Sequence, residues 1–456
     1  MNKERKFLSD LKLYSDFLGW NESLSRYETW DEAVDDVIKT HRTKYSKHLK
    51  ALEPYLQFVT DAYKEKRLLG SQRMLQFRNE DIFKNEFRGY NCSTLYADKV
   101  SFLGNAFYLL LSGCGVGINM MIPFVSRLPK IKSRTRGTKT YVIPDNIEGW
   151  SQAAHVLINS YVDTGSSEKY QEYNGYVIKF DYSQIRPKGS RVGRRFKAPG
   201  PEGLQKSLES IETLINRYVE DDPKAFNSLL AYDIFMFLSD AVLSGGVRRS
   251  ACSIIISPED LDLINAKIGN WRESNPQRAR SNNSVGLLRH KFSKQEFLDL
   301  LSKNDGMSDI GFVFLNNIYE VLNPCYEISF TPLLFDYSDE SIKQRIMESD
   351  ETLLDGVVET GIQMCNLTEG NAQKCLTRED FLTMVKAEAI LGTLQAGYTN
   401  FHSIEDCLEA TIKITEYESL LGVSISGWCN QPWLFNEEVL REGAELVIKT
   451  NDEVSK

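Results

Sequence analysis

Between Leu322 and Phe330 the chain reads LNPCYEISF, which puts the Asn323 amide, the Cys325 thiol and the Glu327 carboxylate within five residues. Pro324 stands directly before the thiol, where it fixes φ and removes a backbone donor. In an extended segment residues two apart share a face. The spacing therefore predicts Asn323, Cys325 and Glu327 on one side, with Pro324 and Tyr326 on the other. A carboxylate beside a cysteine raises the thiol's pKa, which argues against a thiolate nucleophile. It suits a neutral thiol that exchanges a hydrogen atom, with Glu327 as general base toward a substrate. The same residues also read as a buried apolar cysteine whose polar neighbours bond the backbone.

Two further thiols, Cys92 in YNCST and Cys365 in MCNLT, stand among small polar and turn-forming residues rather than in apolar runs. If their β-carbons came within about 4 Å they could close a disulfide across a pocket, and a reversible dithiol supplies two electrons. Each also reads as a satisfied core thiol. Cys114, Cys252, Cys375, Cys407 and Cys429 have no comparable company and are expected to be structural. The eight cysteines form no CxxC pair and the five histidines no HExxH. No protein-held metal is therefore expected.

Glycines mark three other places. Gly113, Gly115 and Gly117 alternate in SGCGVGIN, which is not the dinucleotide-binding pattern and points to close backbone approach to a ligand. In SGGVRRSA, Gly245 and Gly246 permit a tight turn beside the paired forks of Arg248 and Arg249, which suit phosphates or base edges or a solvated surface loop. APGPEG, residues 198–203, is a rigid turn before a helix whose free N–H groups could receive an anion.

These groups need a scaffold. Residues 1–90 are expected to be a helical N-terminal region; ETWDEAVDDVIKTHRTKY has apolar residues at helical spacing, acids early and bases late. From 91 onward strand-like runs (YNCSTLY, TKTYVIPD, YNGYVIKFDY, Ile254–Ile256) alternate with helical ones near 203–235, 293–304, 378–397 and 405–418. That alternation points to one α/β catalytic body over 91–456, with a barrel as its possible form. PKIKSRTRGTKT, residues 129–140, reads as a basic loop, either solvated or in contact with phosphate.

Composition sets the outer limits. The 456 residues are 42% hydrophobic and 26% charged, with 23 Phe and 21 Tyr, so an aromatic-rich core is expected. The net charge of -9 argues against broad nucleic-acid binding but allows a phosphorylated small molecule at a local basic cluster. No secretory signal stands at the start, and no run reaches the roughly 18 to 20 apolar residues of a membrane span. A cytoplasmic location is expected.

The segments YNCST, LLLSGCGVGIN, SGGVRRSA, NPCYEI, CNLTE, LGTLQAGYTNF and GVSISGW, in this order, resemble the catalytic subunits of ribonucleotide reductases, particularly the adenosylcobalamin-dependent class. The resemblance runs from about residue 20 to 440. It implies a ten-stranded α/β barrel with a central finger loop. It implies that Cys325 becomes a thiyl radical and abstracts the ribose 3′-hydrogen, that Glu327 takes the 3′-hydroxyl proton, and that Asn323 bonds a ribose hydroxyl. Cys92 and Cys365 would deliver two electrons as the 2′-hydroxyl leaves. Ser112 and the Gly113, Gly115 and Gly117 backbone would belong to the substrate pocket. Gly245, Gly246, Arg248 and Arg249 would link a deoxynucleotide effector to substrate choice, with the basic loop near 130–140 on the effector side. The implied reaction is thiyl-radical reduction of ribonucleoside di- or triphosphates, with adenosylcobalamin as cofactor and a thioredoxin-like protein as reductant. The same reduction with a radical from a separate metal-containing subunit, or a non-catalytic nucleotide-binding subunit, are the alternatives. Two departures stand out. Cys325 and Cys365 lie 40 positions apart, with an acidic segment, 332–362, looking inserted between them. The Pro-Ser-Gly-Thr phosphate loop and the tail cysteine pair of the family do not occur in this sequence. The expectation is an incomplete barrel whose remaining strands come from a second polypeptide.

Overall fold

The computed structural model describes residues 3–162, 167–192, 196–220, 224–243, 251–302 and 308–456. Its N-terminal region is helical, as its periodicity predicts. α1 (Lys3–Asp16) is followed by α2 (Trp30–Lys44) and α3 (Leu49–Lys64). α2 opens on a reciprocal cap. The Thr29 hydroxyl accepts from the Glu32 N–H, and the Glu32 carboxylate accepts from the Thr29 N–H at 2.7 Å. Val34, Val37, Ile38 and His41 form its buried stripe. The region is not purely helical, because β1 (Leu68–Leu69) leaves it to pair antiparallel with a strand of the catalytic sheet.

That sheet is built from β2 (Cys92–Tyr96), β3 (Gly115–Asn119), β4 (Cys252–Ile256), β5 (Ser281–Leu288), β6 (Ile310–Leu315), β9 (Gln363–Asn371) and β10 (Leu421–Ser426). Its order is β6-β5-β4-β3-β2-β9-β10, with β1 on β9. β2 to β6 are mutually parallel, and β9 is parallel to β10. The two parallel blocks meet where β2 runs antiparallel to β9. β2, β3 and β4 are buried along their whole length, as parallel strands covered on both faces must be. Among the described residues the sheet is an open half-barrel, with β6 and β10 at its edges and β10 partly exposed throughout.

Helices pack on the outer face. The most apolar segment of the sequence forms α4 (Phe102–Ser112), a core helix buried at every position. Gly113, at φ 100°, ends it in the left-handed conformation and caps the Leu109 and Leu110 carbonyls. Among the described residues no helix is long and apolar enough to cross a membrane. The predicted helix near 203–235 is two helices, α5 (Glu202–Tyr218) and α6 (Ser228–Leu243). The basic stretch 129–140 is not a loop, since Arg136–Val142 pairs parallel with Tyr176–Asp181. Tyrosine faces support its cations there, Arg136 over Tyr176 and Lys139 over Tyr173 and Tyr176. The acidic segment 332–362 folds as a short hairpin, Leu333–Leu334 against Glu359–Thr360, around the helix Glu340–Met347. It is tied to the body by a 2.7 Å bond from Thr360 to Asp98.

α7 (Arg378–Ala396) lies along β9 and carries one costly residue. The Glu388 side chain is fully buried, and neither carboxyl oxygen has a hydrogen-bond partner. Burial, and then the charge of Glu369, push its pKa well above the ordinary 4.5. The folded protein therefore holds a proton there that the unfolded chain releases as pH passes 4.5, so folding stability falls as pH rises above that value. Glu388→Met is expected to stabilise the fold at neutral pH by about 1 to 3 kcal/mol. The gain should shrink as pH drops toward 4, which chemical denaturation at several pH values would measure.

Candidate functional site

The inner face of the sheet is specified by alternation. In register, Cys92, Thr94 and Tyr96 of β2 stand beside Gly115, Gly117 and Asn119 of β3, and Ser253 of β4 stands beside Gly117. Into this face projects a hairpin of β7 (Val321–Leu322) and β8 (Ser329–Phe330), whose turn carries Asn323 to Ile328. Its base is held by polar groups reaching inward from the strands. Asn119 Nδ2 donates to the Ile318 and Glu320 carbonyls at 2.9 and 3.1 Å, and Tyr96 donates to the Tyr319 carbonyl at 2.7 Å. Ser253 Oγ donates to the Leu322 carbonyl at 3.2 Å, and Ser284 and Tyr326 share a 2.7 Å hydroxyl bond. All these partners are far apart in sequence and could not be read from it. The signal that was present is the polar residue set inside otherwise apolar strands: Asn119 in GVGIN, Ser253 in CSIII, Ser284 in SNNSVGLL.

The alternating glycines admit this hairpin. A β-carbon on Gly117 would overlap the Leu322 carbonyl, and one on Gly115 would sit 3.1 Å from the Pro324 ring and 3.6 Å from the Cys92 sulfur. The close backbone approach expected at Gly115 and Gly117 is thus made by the protein's own hairpin. Gly113 serves as the helix cap, and Ser112 is fully buried, bonded to Asn85 and to the Tyr108 carbonyl.

Asn323 to Ile328 is a tight turn rather than the extended segment expected. The Tyr326 N–H donates to the Asn323 carbonyl at 3.0 Å, and Tyr326 takes a φ of 65°. Asn323 staples the loop by accepting the Ile328 N–H on Oδ1 at 3.3 Å. The strand argument for a shared face therefore fails, yet the turn keeps the groups together. Cys325 and Glu327 are exposed at the tip while Asn323 is buried. The Cys92 and Cys325 sulfurs and a Glu327 oxygen all lie within 4.8 Å of one another. Asn323 Nδ2 lies beside the Cys92 sulfur, buried and without a well-formed hydrogen bond.

Cys92 and Cys365 face each other directly across the antiparallel junction of β2 and β9. Directly opposed antiparallel residues have Cα atoms about 4.5 to 5.5 Å apart, inside the range a disulfide spans. All described cysteines are free thiols in this structure. Cys325 is held well above the ordinary thiol range, first by its hydrogen bond with Cys92, then by burial, then by the Cys92 and Glu327 charges. The Glu327 carboxylate raises the thiol, as its place in the sequence predicts, but the neighbouring Cys92 contributes more. For Cys92 the bond from Cys325 works downward, but Cys365 and burial outweigh it and push the thiol up to about 12. Cys92 and Cys325 are therefore neutral thiols at physiological pH. Mild oxidation is expected to join Cys92 to Cys365 selectively, and faster as pH rises and thiolate forms. Peptide mapping under non-reducing conditions would read both.

Gly245, Gly246, Arg248 and Arg249 lie outside the described residues. The residues just before them, Ala241 and Val242, border a cleft of about 990 Å³. Ala198, Pro199 and Gly200 of the predicted anion-binding turn line it too, leading into α5, as do Arg88, Arg186 and Lys197. Its volume suits a nucleotide-sized ligand.

No family model matches this sequence. Among curated proteins the chain is 29% identical over 204 residues to the adenosylcobalamin-dependent ribonucleoside-triphosphate reductase of Lactobacillus gasseri, which covers 41% of this chain and 26% of that protein. It is 33% identical over 147 residues to the enzyme of the same name from Lacticaseibacillus paracasei, covering 32% and 18%. With the Euglena gracilis enzyme of that name it shares 26% over 257 residues, covering 54% and 30%. The aligned segments thus span well under half of these relatives. A crystal structure of a B12-dependent, class II ribonucleotide reductase superposes with a TM-score of 0.67 at 19% identity, over 94% of this chain and 63% of that one. The sequence similarity and the superposition agree: the chain is similar in sequence to adenosylcobalamin-dependent ribonucleoside-triphosphate reductases and shares the fold of the class II reductase.

Proposed function

We propose that this chain carries the radical site of a ribonucleotide reductase, which converts ribonucleoside di- or triphosphates to 2′-deoxyribonucleotides. The observation that carries the reading is the convergence of Cys92, Cys325, Glu327, Asn323 and Cys365 on one inner face from three separate stretches of sequence. Cys325 stays protonated, so its S–H can give up a hydrogen atom rather than act as a thiolate. The resulting thiyl takes the ribose 3′-hydrogen. Glu327 accepts the 3′-hydroxyl proton, and Asn323 Nδ2, beside the Cys92 sulfur, donates to a ribose hydroxyl. Loss of the 2′-hydroxyl as water is matched by two electrons from Cys92 and Cys365, which become a disulfide. Return of the hydrogen to C3′ regenerates the Cys325 radical. A dithiol of the thioredoxin class then re-reduces the pair.

Adenosylcobalamin, when bound, supplies the hydrogen-abstracting radical that starts this cycle. The site fits it in one respect: Cys325 is a neutral thiol at the exposed tip of a rigid hairpin. The chain's similarity to adenosylcobalamin-dependent reductases supports this cofactor over a radical delivered by a metal-containing subunit. We assign the cleft beside Ala241 and Val242 to the nucleotide effector side, with residues 245–249 linking it to the substrate. The open β10 edge suits further barrel strands, which we assign to a segment outside this sequence, either on the same polypeptide or on a second one.

The deciding assay measures deoxynucleotide formation from each ribonucleoside di- and triphosphate with a dithiol reductant. It is run with and without adenosylcobalamin, and with and without the polypeptide that carries the Pro-Ser-Gly-Thr loop. Product that requires adenosylcobalamin is the expected result. Product that is indifferent to it would overturn the cofactor assignment, and no product in any combination would overturn the catalytic reading.

A further inference from the structure

We propose that the reduced site doubles as a binding site for one soft divalent ion of the zinc or cadmium class, held by Cys92, Cys325 and Glu327. The sequence hides this site, because its ligands are spread over more than two hundred positions with no ligand spacing; the fold assembles it. The two sulfurs and the carboxylate oxygen lie within 4.8 Å of one another. A tetrahedral ion with metal–sulfur bonds of about 2.3 Å needs its sulfurs about 3.8 Å apart, so closure takes a shift of about 1 Å or less. Cys325 and Glu327 sit at the exposed hairpin tip and can make that shift, and they leave the ion a path from solvent. Cys92, on the buried strand, is the fixed ligand.

Two thiolates and one carboxylate form a donor set that favours zinc and cadmium over magnesium or calcium. On binding, Cys92 and Cys325 release their two protons to solvent, and no oxidation state changes. The fourth position stays open toward water. Asn323 Nδ2, buried beside the Cys92 sulfur, is placed to donate to that thiolate and to orient it. Cys365, on the other side of Cys92, stands outside the trio. The inference rests on this geometry alone and not on the radical reading. Where both hold, the bound ion blocks the thiol and the base at once and keeps Cys92 from oxidising.

The test titrates cadmium into the reduced, metal-free protein in a Cys429→Ser background, which removes the other exposed thiol. A sulfur-to-cadmium charge-transfer band in the ultraviolet is expected to saturate at one equivalent. Cys92→Ser and Cys325→Ser should each weaken binding at least about tenfold, and Glu327→Gln by less. In the otherwise unmodified chain, bound cadmium should protect the exposed Cys325 from maleimide labelling while Cys429 remains reactive, a readout independent of how the variants fold. Absence of a saturable band, a band unchanged in Cys92→Ser/Cys325→Ser, or no protection of Cys325 would overturn the proposal. Because no nucleotide or cobalamin is present, failure here leaves the reductase assay untouched, and the reverse also holds.

Discussion

Cys325→Ala is expected to leave the fold intact and to drop nucleotide reduction below about a thousandth of the parent rate. The stability half of this follows from exposure. Cys325 sits at the tip of the β7–β8 turn, and exposed substitutions away from caps and cores usually stay within about 0.5 kcal/mol. The turn is held by groups that the substitution does not touch: the Asn323 bond to Ile328, the Tyr326 hydroxyl on Ser284, and the Ser253 bond to Leu322. The activity half follows from bond strength. Within the trio only a sulfur–hydrogen bond can be broken homolytically by an alkyl radical and re-formed by the ribose C3′–H, and Cys92 lies a layer deeper, opposite Cys365. Cys325→Ser should therefore be as inactive as Cys325→Ala, because an O–H bond is too strong to be drawn into the cycle. If Cys325 were a nucleophile, the serine variant would keep some activity. If Cys325 were structural, both variants would lose thermal stability in step with activity. Parallel measurement of melting temperature and turnover for the two variants separates the three cases.

How far the sequence led differs between the chemistry and its support. Asn323, Cys325 and Glu327 were visible because three reactive groups in five residues are rare in a strand-like run, and Cys92 and Cys365 because polar, turn-forming company is odd for core thiols. That Cys92 faces Cys365 depends on β9 joining β2 antiparallel, a long-range pairing that no local pattern encodes. The proximity of Cys325 and Glu327 at the loop tip was expected from a local structure that the chain does not adopt. Alternation in an extended strand was the argument, but Asn323 folds back on Ile328 and Tyr326 turns left-handed, so the shared location comes from a turn. Pattern reading also missed what the basic stretch 129–140 is, because tyrosines some forty residues away carry its cations. The metal-capable trio is the sharpest case. Spacing rules detect ligands close in sequence, whereas these ligands are neighbours only after β2 and the hairpin have met.

The glycines of GCGVG lead to the second large effect. Gly117→Ala is expected to cost at least about a hundredfold in turnover, with a smaller loss of stability of about 1 to 3 kcal/mol. The added methyl would overlap a backbone carbonyl, that of Leu322, and not the mobile end of a side chain. Relief therefore requires β7 to move away from β3, carrying Asn323, Cys325 and Glu327 with it. Ser253 reaches the same carbonyl from β4, so the shift also lengthens the bond that anchors the hairpin. A displacement near 1 Å is small for the fold but large for a hydrogen-atom transfer between Cys325 and a ribose held elsewhere, which is why activity should suffer more than stability. Gly115→Ala, whose nearest neighbour is the Pro324 ring at 3.1 Å, should show the same pattern more weakly. Gly137→Ala, whose new methyl would meet nothing within 4 Å, should change neither quantity. Turnover and melting temperature measured for the three variants should fall in the order Gly117, Gly115, Gly137, the most damaging first. Equal effects, or loss of stability without disproportionate loss of activity at Gly117, would show that these glycines serve the sheet and not the seating of the hairpin.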